Sequence, residues 1–102
     1  MNKEVENKLS ILIPLFKEHK VARAFLFGSS LSEKFNQNSD VDFLISFKAG
    51  LSPLENGELW WNLYDKLRLL FNREIDLVNE SSIKNPYFKE EINKTKKLIY
   101  EQ

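Results

Sequence analysis

Apolar residues recur along the chain with two different spacings, which separate predicted helices from predicted strands. Residues 3–19 place apolar side chains at helical spacing and predict a first helix, with a kink or an early stop at Pro14. Residues 54–71 carry a continuous leucine stripe, which predicts the longest helix. Residues 86–100 open with a proline, which suits the first turn of a helix, and predict the last one.

Short and mainly apolar segments lie between these helices and predict three β-strands, at residues 21–27, 41–47 and 74–79. A short helix over residues 30–34 and a polar loop over 35–39 are expected between the first two strands. The order α-β-(α)-β-α-β-α predicts an α/β (α+β) fold, a small mixed three-stranded sheet covered by helices. No repeat or linker divides the chain, so residues 1–102 are expected to form a single domain.

Composition narrows the possible functions. Leu, Ile, Val and Phe make up 34 of 102 residues, well above the roughly 20% below which chains stay disordered. Fifteen Lys and Arg balance fifteen Asp and Glu, which argues against a general binder of nucleic acid or anionic membranes. The absence of cysteine excludes disulfides and Cys-ligated metals. The first residues mix charged and apolar side chains and have no signal-peptide pattern, so we expect a cytoplasmic protein.

Three of the four aspartates lie at or just inside predicted strands, where this residue type is disfavoured. Asp40 and Asp42 project from the same face because a strand has a period of two. If residues 54–71 form a crossover helix, the flanking strands run parallel and Asp76 lies beside this pair. Carboxylates this close repel one another unless one of them is protonated or a cation such as Mg²⁺ lies between them. Three of them can hold two metal ions.

Gly28 and Ser29 end the first predicted strand and open the short helix. A glycine lets the backbone approach a ligand closely, and the N–H groups that start a helix bind anions. These two residues are therefore a candidate phosphate site. A structural explanation also exists, because Gly28 fits an ordinary turn, and Ser30 with Glu33 fits a helix capping box.

Each aspartate taken alone also has a structural explanation. Asp40 could cap a turn after Ser39, and Asp42 could form an ion pair with Arg23 or Arg73. The joint placement of the aspartates is much less easily explained by structure than any single one of them. We therefore interpret the joint pattern as functional.

Gly28-Ser29, ten intervening residues and then Asp40-Val-Asp42 resemble the Gly-Ser-x10-Asp-x-Asp signature of minimal nucleotidyltransferases of the DNA polymerase beta superfamily. The chain is similar in particular to MNT-type antitoxins, which pair with HEPN-domain toxins. The resemblance implies a nucleotidyltransferase fold and transfer of AMP from Mg-ATP to a hydroxyl, expected to be a tyrosine, of a partner toxin. It also implies that Asp40, Asp42 and Asp76 are catalytic residues and ligands of two Mg²⁺ ions. Gly28 and Ser29 would bind the nucleotide phosphates.

One segment departs from the family pattern. Ser32 stands where an arginine is common, and Glu33 where a glycine is common. Lys34 and Lys48 are candidates to replace the missing cation. The departure leaves open an alternative, a catalytically weak or inactive antitoxin that neutralises its partner by binding. A small-molecule acceptor ranks last, because 102 residues leave little room for an acceptor domain. We expect a protein partner in a homo- or hetero-oligomer, and neither membrane nor nucleic acid.

Overall fold

The computed structural model describes residues 2–32 and 35–102. Its helices are Lys3–Asn7 (α1), Leu9–Glu18 (α2), Pro53–Phe71 (α3) and Pro86–Thr95 (α4). Its strands are Val21–Leu26 (β1), Val41–Phe47 (β2), Ile75–Asn79 (β3) and Lys97–Glu101 (β4), and short 3-10 turns occupy Gly28–Leu31 and Glu80–Ser82. Within these described ranges, no helix combines the length and the apolar character needed to cross a membrane.

The strands form one mixed sheet in the order β3-β2-β1-β4. β1 pairs antiparallel with β2 and β4, whereas β2 and β3 run parallel. The predicted parallel pairing is therefore confirmed, and α3 is the crossover between the two strands. This helix has clear ends in the sequence: Ser52 and Glu55 form a capping box at its start, and Asn72 ends it in the left-handed conformation.

The prediction of three strands and of a final helix reaching residue 100 is wrong. α4 ends at Thr95, and β4 pairs with β1 along the edge of the sheet. The centroids of the Tyr100 and Phe16 rings lie 5.6 Å apart. Ile99 packs against the same core, from a strand rather than from a helix. The segment holds only three consecutive apolar residues, Leu98 to Tyr100. Such a short run is compatible with both periods, so only its pairing with β1 decides between strand and helix.

The predicted first helix, residues 3–19, is divided at Lys8 rather than at Pro14. Lys8 leaves the helical conformation with φ −106° and ψ 4°. Pro14 lies inside α2, which continues to Glu18. The proline lacks the N–H that would bond the Ser10 carbonyl, but both residues are exposed, so water can satisfy that carbonyl and the helix is not broken.

The main core lies between one face of the sheet and the helices α2 and α3. Phe43 of β2 packs with its ring centroid 6.0 Å from that of Phe16 and 5.9 Å from that of Phe71. Since side chains alternate along a strand, Asp42 projects to the opposite face. On that face α4 covers a second, smaller apolar cluster, which includes Phe27, Leu44 and Ile92.

Candidate active site

The parallel pairing of β2 and β3 places two of the predicted site carboxylates on adjacent strands. Asp42 and Asp76 are direct register partners, and neighbouring strands lie about 4.8 Å apart. Asp40 precedes β2 by one residue, two positions before Asp42, so the strand period places it towards the same face. The sheet therefore brings the three predicted aspartates to one region of one face.

Asp42 is held in place by the turn that follows β1. The backbone N–H and the hydroxyl of Ser29 both donate to Oδ2 of Asp42, at 3.1 and 2.9 Å. The backbone N–H of Asp42 donates in turn to the hydroxyl oxygen of Ser30, at 2.7 Å. Asp42 is 8% exposed. These bonds fix the carboxylate against the Gly28–Leu31 turn.

Gly28 is required by the close approach of this turn to Asp42. Its φ is +61°, and a Cβ placed there would lie 2.7 Å from Oδ2 of Asp42. Any Cβ at this position would force the Asp42 carboxylate to shift, and the left-handed backbone itself favours glycine. The structure has a 3-10 turn over Gly28–Leu31. The predicted helix over residues 30–34 extends to residues 33 and 34, which lie outside the described residues.

The site carboxylates influence each other electrostatically. Burial raises the pKa of Asp42; the hydrogen bonds from Ser29 oppose this shift, and the charges of Asp76 and Asp40 add to it. Asp76 is exposed by its surface area, but the protein atoms around it still remove part of its solvation. This partial desolvation raises the pKa of Asp76, and the charge of Asp40 raises it further. The site is therefore under mutual repulsion when its carboxyl groups are ionised, and a bound cation would relieve this repulsion.

The alternative explanation for Asp42, a structural ion pair with an arginine, is not supported. Among the described residues, Asp42 forms no ion pair with Arg23 or Arg73. Arg73 pairs instead with Glu4 of α1, at 2.6 Å. It also donates to two backbone carbonyls of the loop before Asp40, those of Asn36 and Ser39, at 2.7 and 2.9 Å. Arg73 thus anchors that loop, a role that its position in the sequence did not reveal.

Ser30 has a structural role that the sequence did not predict. It is 1% exposed, and its hydroxyl accepts the N–H of Asp42. Its carbonyl accepts a hydrogen bond from the Asn2 side chain, at 3.3 Å. Glu33, the predicted capping-box partner, and Lys34, a candidate replacement cation, lie outside the described residues.

The donor chemistry of the three aspartates fits a hard cation, although their side chains do not converge. In the part of the chain that the structure describes, no three acidic or histidine side chains are grouped closely enough to bind one ion. Asp42 directs Oδ2 to Ser29, while Asp40 and Asp76 are exposed. Three carboxylates are the oxygen ligands that Mg²⁺ prefers. Binding would require the two exposed side chains to reorient.

A family model and a named relative agree on the kind of protein to which this chain is similar. The profile of the family described as "Polymerase beta, Nucleotidyltransferase" matches residues 11–102. A protein of Methanocaldococcus jannaschii named "Putative protein adenylyltransferase" is 36% identical over 86 residues, which is 84% of this chain and 82% of the relative.

Solved structures share the fold. A crystal structure of a toxin-antitoxin with AMP-PNP has a TM-score of 0.71 and 22% identity, covering 92% of this chain and 73% of that chain. A complex of a tri-AMPylated Shewanella oneidensis HEPN toxin with an MNT antitoxin has a TM-score of 0.66 and 19% identity. The match covers 95% of this chain and 72% of that chain. The predicted nucleotidyltransferase fold is thus confirmed. With the family profile matching nearly the whole chain, the protein belongs to the polymerase beta nucleotidyltransferase family.

Proposed function

We propose that this nucleotidyltransferase moves AMP from Mg-ATP to a hydroxyl group, expected to be a tyrosine, of a HEPN-type partner toxin, and so acts as an antitoxin in the cytoplasm. The observation that carries the proposal is the register pairing of Asp42 with Asp76 beside the Gly28–Ser29 turn. The name of the 36% identical relative and the toxin-antitoxin complexes with the same fold support it.

Gly28 and Ser29 are the proposed phosphate-binding residues. The N–H and hydroxyl of Ser29 now donate to an anionic oxygen, Oδ2 of Asp42. A phosphate oxygen could take the same two donors, which would free that carboxylate oxygen of Asp42 for a cation. The missing Cβ of Gly28 leaves room for this exchange next to the carboxylate.

Asp40, Asp42 and Asp76 are the proposed ligands of two Mg²⁺ ions, which would neutralise the triphosphate and the charge that develops on the reacting oxygens. In the reaction, the acceptor oxygen bonds to the α-phosphorus, the bond between the α- and β-phosphates breaks, and pyrophosphate leaves. Asp76 is the proposed acceptor of the proton that the acceptor hydroxyl loses, since a carboxylate is a common general base.

The proposal predicts labelled AMP on the partner after incubation with labelled ATP, Mg²⁺ and a candidate HEPN-type toxin. Asp42→Asn should reduce the transfer rate at least about a hundredfold, because such ligands contribute several kcal/mol to charge stabilisation. Asp65→Asn is the matched control, since Asp65 is exposed on α3. Mass spectrometry of the toxin should locate AMP on a tyrosine. Absence of transfer by the wild type, or equal transfer by Asp42→Asn, contradicts the proposal.

A second candidate function is neutralisation of the toxin by binding alone, which Ser32 favours because it stands where the family commonly has a phosphate-binding arginine. Protection of cells from the toxin separates the two functions. Full protection by a double variant, Asp40→Asn with Asp42→Asn, would show that binding suffices, whereas loss of protection with retained toxin binding would show that transfer is required.

A further inference from the structure

A pocket of about 410 Å³ lies beside the candidate phosphate turn, between that turn and α4. Its lining includes Gly28, Leu31, Phe88, Glu91, Ile92 and Thr95. The volume falls within the range of about 300–1,000 Å³ that is typical of small-molecule sites. Because Gly28 belongs both to this pocket and to the turn that holds Asp42, a ligand with its phosphates at the turn could extend its other end into the pocket.

The walls of the pocket suit a flat apolar group. Phe27 and Ile92 are 6% and 3% exposed, so the floor is part of a packed cluster. Phe88 contacts Phe27 at a centroid distance of 6.4 Å with the rings at 78°, yet it remains 42% exposed. The Phe88 ring is therefore held in place by packing and still has surface on which a base could stack.

The polar groups of the pocket favour a base over a phosphate. Glu91 and Thr95 lie one turn apart on α4, and the Thr95 hydroxyl donates to the Glu91 carbonyl, at 3.2 Å. The Glu91 carboxylate would repel a phosphate placed in the pocket. It would accept a hydrogen bond from an exocyclic amino group or a ring N–H of a base.

We propose that this pocket binds the nucleobase of the nucleotide whose phosphates bind at Gly28 and Ser29, with the base stacked on Phe88 and its amino group donating to Glu91. Adenine, which carries an exocyclic amino group, matches this chemistry. The inference rests on the proposed function, because it requires the phosphates to lie at the turn.

Calorimetric titration of the full chain with Mg-ATP and with Mg-tripolyphosphate separates the base from the phosphates. Phe88→Ala should raise the Kd of ATP at least about fivefold, as expected for loss of base stacking on an aromatic ring, and leave the Kd of tripolyphosphate unchanged. Tyr87→Ala is the matched control, since Tyr87 is adjacent and 82% exposed but does not line the pocket. It should change neither constant.

A second pair of variants covers the case in which Phe88→Ala fails to fold. Glu91→Ala should raise the Kd of ATP about twofold to tenfold, the range expected for one lost hydrogen bond. Glu90→Ala should not, because Glu90 pairs with Lys94 and does not line the pocket. Neither variant should alter tripolyphosphate binding.

The results distinguish the pocket from the phosphate site. The base pocket is overturned if ATP and tripolyphosphate bind the wild type equally tightly. It is also overturned if the pocket variants weaken the binding of both ligands to the same extent, or weaken the binding of neither. In each of these cases the phosphate site stands. If the wild type binds neither ligand, the proposed function is overturned together with the pocket.

Discussion

Gly28 lies where the Gly28–Leu31 turn comes close to the carboxylate of Asp42. Gly28 and Gly50 both have positive φ, +61° and +89°, but only Gly28 has a neighbour within 4 Å of the position of an added Cβ. Alanine at either position should cost about 1–2 kcal/mol for the left-handed backbone. Gly28→Ala should cost more than Gly50→Ala, because its Cβ would lie 2.7 Å from Oδ2 of Asp42.

Urea unfolding of the two variants measures this difference, and the Mg-ATP affinity shows its effect on the site. Gly28→Ala should lose both stability and affinity, whereas Gly50→Ala should lose stability alone. Equal losses of stability in the two variants, with affinity retained in both, would show that the contact with Asp42 does not require glycine.

The sequence alone identifies the carboxylates but not the residues that orient them. Asp40, Asp42 and Asp76 stand out because aspartate is unusual in strands and because the period of two fixes its face. The buried bond from the Asp42 N–H to the Ser30 hydroxyl joins residues 12 positions apart. Such a bond depends on the tertiary position of the turn, which no local spacing encodes.

At the scale of helices and strands, the predictions from sequence succeeded where clear local signals mark an element. α3 has a capping box, a proline in its first turn and a long apolar stripe, so its existence and its role as crossover could be predicted. β4 has no such signal: it is short and directly follows α4, and it becomes a strand by pairing with β1. The division between α1 and α2 falls at Lys8, a residue type that favours helices, so no local signal marks it either.

Arg73 joins three parts of the chain, and its contribution to stability can be compared with that of Arg68. The Arg73 side chain is 12% exposed, pairs with Glu4 and bonds two loop carbonyls. Arg68 pairs with Glu74 at 2.8 Å, but the two side chains are 50% and 61% exposed. Arg73→Ala should lower the free energy of unfolding by about 1–3 kcal/mol, since it leaves polar groups without partners. Arg68→Ala should lower it by about 0.5 kcal/mol or less.

Chemical denaturation of both arginine variants, with unchanged m-values, tests this ranking. Because Arg73 also holds the loop before Asp40, its replacement should weaken Mg-ATP binding, and replacement of Arg68 should not. A loss of stability that is the same for both would mean that the loop contacts of Arg73 contribute no more than an exposed ion pair.

At the scale of the whole molecule, a formal net charge of zero hides an uneven distribution of charge. Asp40, Asp42 and Asp76 concentrate acidic groups on one face of the sheet, and the pKa values of Asp42 and Asp76 are raised. The folded state is therefore destabilised by its own candidate site when these groups are ionised. Such a conflict between stability and function is common at sites that bind cations.

The pH dependence of stability follows from the raised pKa of Asp76. This pKa lies above the usual 3.8 in the folded protein, so the folded state binds the proton more tightly than the unfolded state. The stabilisation due to protonation is fully present below about pH 3.8 and is lost as the pH rises through the raised pKa. Asp76→Asn removes the ionisable group, so the variant should become more stable than the wild type across this window and remain so at neutral pH.

Free energies of unfolding measured from pH 3 to pH 7 for the wild type, Asp76→Asn and the control Asp65→Asn test this prediction. The gain at neutral pH should be small, because Asp76 is exposed and solvent screens its charge. Mg²⁺ should stabilise the wild type through binding to the folded state and stabilise Asp76→Asn less, because the variant has lost a proposed ligand. Parallel pH curves for all three proteins, together with an equal response to Mg²⁺, would show that Asp76 neither opposes folding nor binds the cation.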